Sequence, residues 1–216
     1  MNNRENKTSV HGIFLAAGKS RRMGFNKLEL PFGNTSVGSY TLMTYLHSNL
    51  DHIQVVIGRG DAPVWMNTSL FSKPLDEKWS RVSCVDSALG QAYSIKCGLQ
   101  EAMLKNSDAI MILLADQPLI STEMINRLIE EFYKIQDYKD DYHLIASSYH
   151  EILRPPILFT KKAYPYLQKL EGDQGARLLI RKNKDLIGLN VQFENQDWFE
   201  DIDTWEDYRR LIKKVR

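Results

Sequence analysis

Several features are scarce in this chain, and each scarcity narrows what it can be. There are only two cysteines, Cys84 and Cys97, too few for a disulfide framework or a zinc finger. In their apolar and small-residue surroundings both read as ordinary buried thiols. No apolar run approaches the roughly 18 residues of a membrane span. The first residues, Met-Asn-Asn-Arg-Glu-Asn-Lys-Thr, lack the apolar region of a signal peptide, so no membrane association and a cytoplasmic location are expected. Neither sign of charge is in excess: 28 basic side chains face 27 acidic ones, for a formal net charge of +1. A general polyanion binder rests on surplus Lys and Arg, so nucleic acid is not expected as a partner. The histidines, His11, His47, His52, His143 and His150, show no metal-ligand spacing and read as structural or surface residues.

The 216 residues are 43% apolar and 25% charged, which suits a single α/β domain over 1–216, with 1–9 as a disordered polar tail. Apolar runs at Val10–Ala17, Ile53–Ile57, Arg81–Val85 and Ala109–Leu114 read as buried strands. His143–Tyr149, Pro156–Phe159 and Asp185–Phe193 are further strand candidates. Helical spacing appears at Gly38–Asn49, Ala92–Lys105, the stretch after Ser121, Lys161–Leu170, Gln174–Lys182 and Thr204–Val215. Asp61–Asp76 looks like a loop in which Val64-Trp65-Met66 starts a short helix. Strands alternating with helices imply a Rossmann-like three-layer sandwich around a mostly parallel mixed sheet.

Ligands in such folds bind beyond the C-terminal ends of the strands. The first of those ends carries Leu15-Ala16-Ala17-Gly18-Lys19-Ser20-Arg21-Arg22-Met23-Gly24-Phe25-Asn26-Lys27. Gly18 and Gly24 allow close backbone approach, backbone N–H groups can cradle phosphate oxygens, and Lys19, Arg21, Arg22 and Lys27 would offset a triphosphate's charge. A Walker A loop is excluded because Gly18 to Gly24 is one residue too long and Phe25 follows; the dinucleotide pattern G-x-G-x-x-G is absent. A basic surface loop with structural glycines is the bland alternative.

Asp116, in Ala115-Asp116-Gln117-Pro118, follows the strongest strand and is placed to hold Mg²⁺, a hard cation that prefers oxygen ligands; it could equally cap a turn. In Asp201-Ile202-Asp203-Thr204-Trp205-Glu206-Asp207-Tyr208, Asp203 could be a helix N-cap and Asp207 a first-turn acid.

The loop resembles the signature L-A-[AG]-G-x-S-x-R-M-G-x-x-K of the nucleotide-diphospho-sugar transferase-like fold. Within that fold it is similar to the MobA/MocA-like branch that transfers nucleotides to molybdopterin, including the cytidylyl-transferring and purine-catabolism types. The resemblance implies that Leu15, Ala16, Ala17, Gly18, Ser20 and Gly24 border the nucleotide and that Arg22 and Lys27 meet its phosphates. Guanylyl-transferring members usually show L-A-G-G and cytidylyl-transferring members L-A-A-G; this chain has the second form, which favours CTP over GTP. A-D-Q-P resembles the family's metal-binding segment, and D-I-D-T-W-E-D-Y its D-I-D-T-P-E-D-Y ending. Asp116 and Asp203, and less surely Asp201, are thereby implied as Mg²⁺ ligands, with Arg22, Lys27 and Asp116 as catalytic residues.

Gly90 to Leu99 resembles G-x-x-x-S-L-[RK]-x-G-[LV], which assigns Gly90 and Ser94 to the nucleotide. Gly172 to Arg177 resembles the acceptor-side G-D-x-G-A-R, which assigns Asp173, Gly175 and Arg177 to the acceptor. Leu153-Arg154-Pro155-Pro156-Ile157-Leu158-Phe159 departs from the usual R-G-x-P-V-L-F by losing its glycine. The implied activity is transfer of a cytidylyl group to molybdopterin, giving molybdopterin cytosine dinucleotide for a client molybdenum hydroxylase such as xanthine dehydrogenase. Guanylyl transfer, transfer to a sugar phosphate, and a non-catalytic molybdenum-cofactor chaperone are the competing readings.

Overall fold

The computed structural model describes residues 8–18, 23–138 and 141–215. Strand β1 (Val10–Leu15) is followed by the short pair β2 (Pro31–Phe32) and β3 (Thr35–Ser36), helix α1 (Val37–Leu46), β4 (His52–Gly58) and β5 (Trp79–Cys84). Then come α2 (Gln91–Leu104), β6 (Ala109–Leu114), α3 (Thr122–Tyr138), β7 (Leu144–Tyr149) and β8 (Ile152–Thr160). The chain closes with α4 (Tyr164–Gln168), α5 (Ala176–Lys182), β9 (Gly188–Gln192) and α6 (Trp205–Leu211).

Seven strands form one sheet in the order β5-β4-β1-β6-β8-β7-β9. All pairings are parallel except those made by β8, which runs against both β6 and β7. The fold is therefore α/β with a mostly parallel mixed sheet, as the alternation of elements predicts.

Both faces of the sheet are covered, which is why its inner strands read as unbroken apolar runs. In β1, Val10 and Phe14 face a core shared with α1, α3 and α6, whereas Ile13 faces the core under α2, α4 and α5. Helix α2 lies close on β1 because position 98 has no side chain: a Cβ on Gly98 would sit 2.4 Å from Ile13 Cγ2.

The structure corrects several local expectations. Val64 and Trp65 form a turn and start no helix; the 61–76 stretch holds 3-10 turns at Thr68–Phe71 and Leu75–Lys78 instead. Trp65 is buried there, its carbonyl accepting from Ser36 Oγ (2.5 Å) and Ser39 Oγ (2.6 Å). Strand β8 starts four residues earlier than its apolar run, because Pro155 and Pro156 sit where the β7–β8 register shifts between Ala146 and Ser147. Ser147 Oγ lies against the carbonyls of Arg154 (2.6 Å) and Pro156 (2.9 Å), which makes the prolines tolerable in an inner strand. Of the polar stretch 1–9, residues 1–7 lie outside the described residues, while the Ser9 N–H donates to Asp108 Oδ2 at 2.9 Å. Among the described residues no helix is long and apolar enough to cross a membrane.

At the N-terminal end of the sheet, His11 and His52 are neighbours on β1 and β4, with ring centroids 5.7 Å apart. His11 Nδ1 is 3.1 Å from Gln54 Nε2; His52 Nε2 is 2.9 Å from Ser80 Oγ and 3.2 Å from Lys105 Nζ. Burial first, then the Lys105 charge and His11, pushes His52 down to about 4 from its ordinary 6.5. His11 is also lowered, chiefly by burial. The unfolded chain therefore takes up protons below pH 6.5 that the native state refuses, so stability should fall as pH drops from 6.5 and level off near 4. Melting temperatures at pH 7.5 and 5.0 check this, with a His52→Gln chain expected to lose a smaller part of its stability.

Candidate active site

Leu15 and Leu114 are paired at the C-terminal ends of β1 and β6, and the chain leaves these two strands toward opposite halves of the sheet. That divergence opens a crevice, the usual ligand position in an open α/β sheet. A cleft of about 610 Å³ lies there. It is lined by ten of the residues that the motifs single out: Leu15, Ala17, Gly18, Lys27, Gly90, Ser94, Asp116, Asp173, Asp201 and Asp203. Ala16 and Gly24 border a neighbouring recess on the far side of the loop, together with Ala17 and Gly18. Ser20 and Arg22, like Lys19 and Arg21, lie outside the described residues. Gly175 and Arg177 line an adjoining pocket of about 410 Å³, which also takes Arg154 and Arg181.

Lys27 opens a 3-10 turn capped by Asn26, whose Oδ1 accepts from Leu28 N at 3.2 Å, and the buried Leu28 side chain anchors that turn. The Lys27 ammonium is thereby set between two carboxylates, 2.5 Å from Asp116 Oδ2 and 3.0 Å from Asp203 Oδ1. The two acidic segments are joined directly, since Ile202 N donates to the Asp116 carbonyl at 2.9 Å. Ile202 is fully buried, while Asp201 and Asp203 on either side of it face the cleft.

Asp203 is not the helix N-cap. Thr204 takes that place, in a reciprocal capping box with Asp207, whose Oδ2 accepts from Thr204 N (2.9 Å) and Thr204 Oγ1 (2.7 Å). Thr can cap and Asp207 completes the box, so the Asp203 carboxylate is released to meet Lys27.

Burial works against the Lys27 charge, but Asp116 first and Asp203 second outweigh it and hold the ammonium above its ordinary range. Asp201 is pushed up, mainly by burial and then by the negative charges of Asp116 and Asp203. Beneath them the fully buried Tyr45 donates to Leu114 O at 3.4 Å; burial, and then the Asp116 charge, raise its pKa and keep the phenol neutral.

Four carboxylates, Asp116, Asp173, Asp201 and Asp203, line the cleft with Lys27. An all-oxygen set of this kind suits Mg²⁺, and Asp116 and Asp203 already converge on one cation, the Lys27 ammonium. Among the described residues no group of three or more His, Cys, Asp or Glu could hold a metal by itself. Mg²⁺ commonly binds through one or two carboxylates plus substrate phosphates, which is what Asp116 and Asp203 can offer.

Both the sequence and the fold match known proteins. A family model described as the MobA-like NTP transferase domain matches residues 12–186. The chain belongs to this family. Over 202 residues it is 38% identical to the purine catabolism protein PucB of Bacillus subtilis (strain 168), covering 91% of this chain and 93% of that protein. It is 23% identical over 213 residues to a probable molybdenum cofactor guanylyltransferase of Carboxydothermus hydrogenoformans, covering 92% and 93%. Among solved structures, Rv0371c from Mycobacterium tuberculosis H37Rv superposes with a TM-score of 0.75 at 24% identity, covering 95% of this chain and 99% of that one. As a MobA-like NTP transferase, the chain is a nucleotidyltransferase.

The motifs miss some lining residues. Ser87 and Ala88, in a 3-10 turn between β5 and α2, carry no signal beyond loop-like composition. Arg181 could have been found from helical spacing, because it lies four residues after Arg177 on α5. The cysteines are a correction: Cys84, at the end of β5, and Cys97, on α2, form a disulfide with Cα atoms 5.9 Å apart. They are not free thiols, since the β5–α2 crossover brings them together. The cross-link closes the segment that carries Ser87, Ala88, Gly90, Gln91 and Ser94. Cys97→Ser, or reduction of the wild-type chain, should cost about 2–3 kcal/mol of stability. Calorimetry with and without reductant checks this, and an unchanged melting temperature on reduction would show that the bond is not formed in solution.

Proposed function

We propose that this nucleotidyltransferase moves the cytidylyl group of CTP onto the terminal phosphate of molybdopterin. Pyrophosphate is released and molybdopterin cytosine dinucleotide is formed, for delivery to a molybdenum hydroxylase such as xanthine dehydrogenase. The observation that carries this reading is the convergence of Lys27, Asp116 and Asp203 at the edge of the cleft, from positions as far as 176 residues apart. The acceptor is supported by two relatives, one named for purine catabolism and one for the molybdenum cofactor. The choice of CTP is supported by Ala17, which lines the cleft at the position where guanylyl-transferring members usually have glycine. The guanylyltransferase relative favours GTP as the second reading.

In this reading Lys27, with Arg22, binds the β- and γ-phosphates, and Leu15, Ala17, Gly18, Gly90 and Ser94 border the base and ribose. Asp116 and Asp203 would hold Mg²⁺, which supplies charge neutralisation on the phosphates. Asp173, Gly175 and Arg177 face the acceptor. A phosphate oxygen of the acceptor attacks the α-phosphorus in line, the bond to the β-phosphate oxygen breaks, and pyrophosphate leaves. The nucleophile is already ionised at neutral pH, so no general base is required. The residues contribute position and electrostatic stabilisation.

The test is pyrophosphate release with each of the four triphosphates, Mg²⁺ and molybdopterin. CTP should give the highest rate, and chelation of the metal should abolish it. Lys27→Ala and Asp116→Ala should each lose at least about 100-fold in kcat with the fold retained by circular dichroism. Full turnover in either variant, or turnover with a sugar 1-phosphate and none with molybdopterin, refutes the assignment.

A further inference from the structure

The cleft and the adjoining pocket share a wall. Three residues line both: Gln91, Leu114 and Asp201. If the cleft takes the nucleotide and the pocket the acceptor, as proposed above, the attacking phosphate and the α-phosphorus must meet at this wall. Leu114 offers no hydrogen bond from its side chain. Asp201 is a carboxylate beside Asp116 and Asp203, and a carboxylate only accepts hydrogen bonds, so it gives a phosphate oxygen no donor. Gln91 is left as the side chain of the three that can donate to a phosphate oxygen without relying on its protonation state.

The local structure holds Gln91 in place. Gly90 before it has a φ of +133°, and a Cβ there would lie 2.2 Å from the Gly172 carbonyl group. Ala92 after it donates its N–H to the same Gly172 carbonyl at 3.0 Å. The Gln91 side chain lies over Gly175, where a Cβ would come within 2.2 Å of Oε1. The acceptor-side segment 172–175 thus grips the first turn of α2 on both sides of Gln91 and leaves the space that its amide occupies. Gln91 itself is exposed, so this arrangement serves no core packing. Gly175 has an ordinary extended conformation (φ −101°, ψ −179°), so a side chain there would strain no backbone but would have to displace the Gln91 amide.

We propose that Gln91 is a positioning residue that donates a hydrogen bond to the acceptor's attacking phosphate group at the wall shared by the cleft and the adjoining pocket. This inference rests on the two-pocket reading of the function. A neutral amide suits the role, because a cation at the wall would pair with Asp201 and with the departing pyrophosphate.

The experiment uses the full chain, saturating CTP and Mg²⁺, and varied molybdopterin, with pyrophosphate release as the signal. Gln91→Leu removes the donor at similar size and should lower kcat/KM for molybdopterin by about 10- to 100-fold, the usual weight of a hydrogen bond to a charged group. Its CTP dissociation constant, by equilibrium dialysis, should stay within about twofold of wild type, because Lys27, Gly90 and Ser94, to which the reading assigns the nucleotide, are unchanged. Gly175→Ala keeps every polar group and displaces the Gln91 amide, so it should move the same acceptor constant in the same direction. Gln91→Leu with a wild-type kcat/KM for molybdopterin overturns the proposal. So does a parallel loss of CTP affinity, which would mark a structural role at the start of α2. A wild-type chain inert with every triphosphate and molybdopterin overturns the functional reading and this inference together, whereas an active wild type with an equally active Gln91→Leu overturns the inference alone.

Discussion

An ammonium held between two carboxylates is stable only where the three groups are delivered to one point, and here they come from three separate parts of the chain. Lys27 is presented by the turn after β1, Asp116 by the end of β6, and Asp203 by the segment before α6. The parallel pairing of β1 with β6 sets the first two side by side, and the Ile202–Asp116 backbone hydrogen bond fixes the third. The Lys27 side chain is 14% exposed and that of Asp116 21%, so either charge would be costly there without its partner. The position of the glycine-rich turn, the burial of Ile202 and the capping of α6 by Thr204 all serve this junction.

The junction also divides the molecule's electrostatics. On one side, the cleft is lined by carboxylates and Lys27; on the other, the adjoining pocket is lined by Arg154, Arg177 and Arg181. The two neighbouring spaces therefore offer charge of opposite sign within one crevice. The planar guanidinium donors of that pocket can meet paired oxygen acceptors.

Much of this was readable from residue order, and the exceptions have physical causes. Ala109–Leu114 has the same bounds in the sequence and in the structure, because an unbroken apolar run between Asp108 and the A-D-Q-P segment has no competing pattern. The turn from β7 to β8 gave no warning: His150 and Glu151 both adopt positive φ, a conformation usually marked by Gly or Asn. Asp203 and Thr204 are both competent caps, and only the reciprocal bonds with Asp207 decide between them. Lys27, Asp116, Asp203, Gly90 and Ser94 reach one cleft as their motifs imply, whereas Ser87, Ala88 and Gln91 became visible only when the β5–α2 crossover was in place. The pairing of Cys84 with Cys97 depends on that same crossover and leaves no trace in a chain with two cysteines.

The reversed strand β8 has a consequence for how such a protein can diversify. Its ladder with β6 ends at Ile112–Ile157, so Leu114 has no partner on that side, and Arg154 and Pro155 turn into the space beyond. A unidirectional sheet would meet the rim there with an outgoing strand and its crossover; this one meets it with an incoming strand fed by a short hairpin. Changes in residues 150–156 can therefore reshape one chamber of the rim while leaving the β1–β6 half, with its ammonium and carboxylates, untouched. The two chambers of the rim are thus separable by construction.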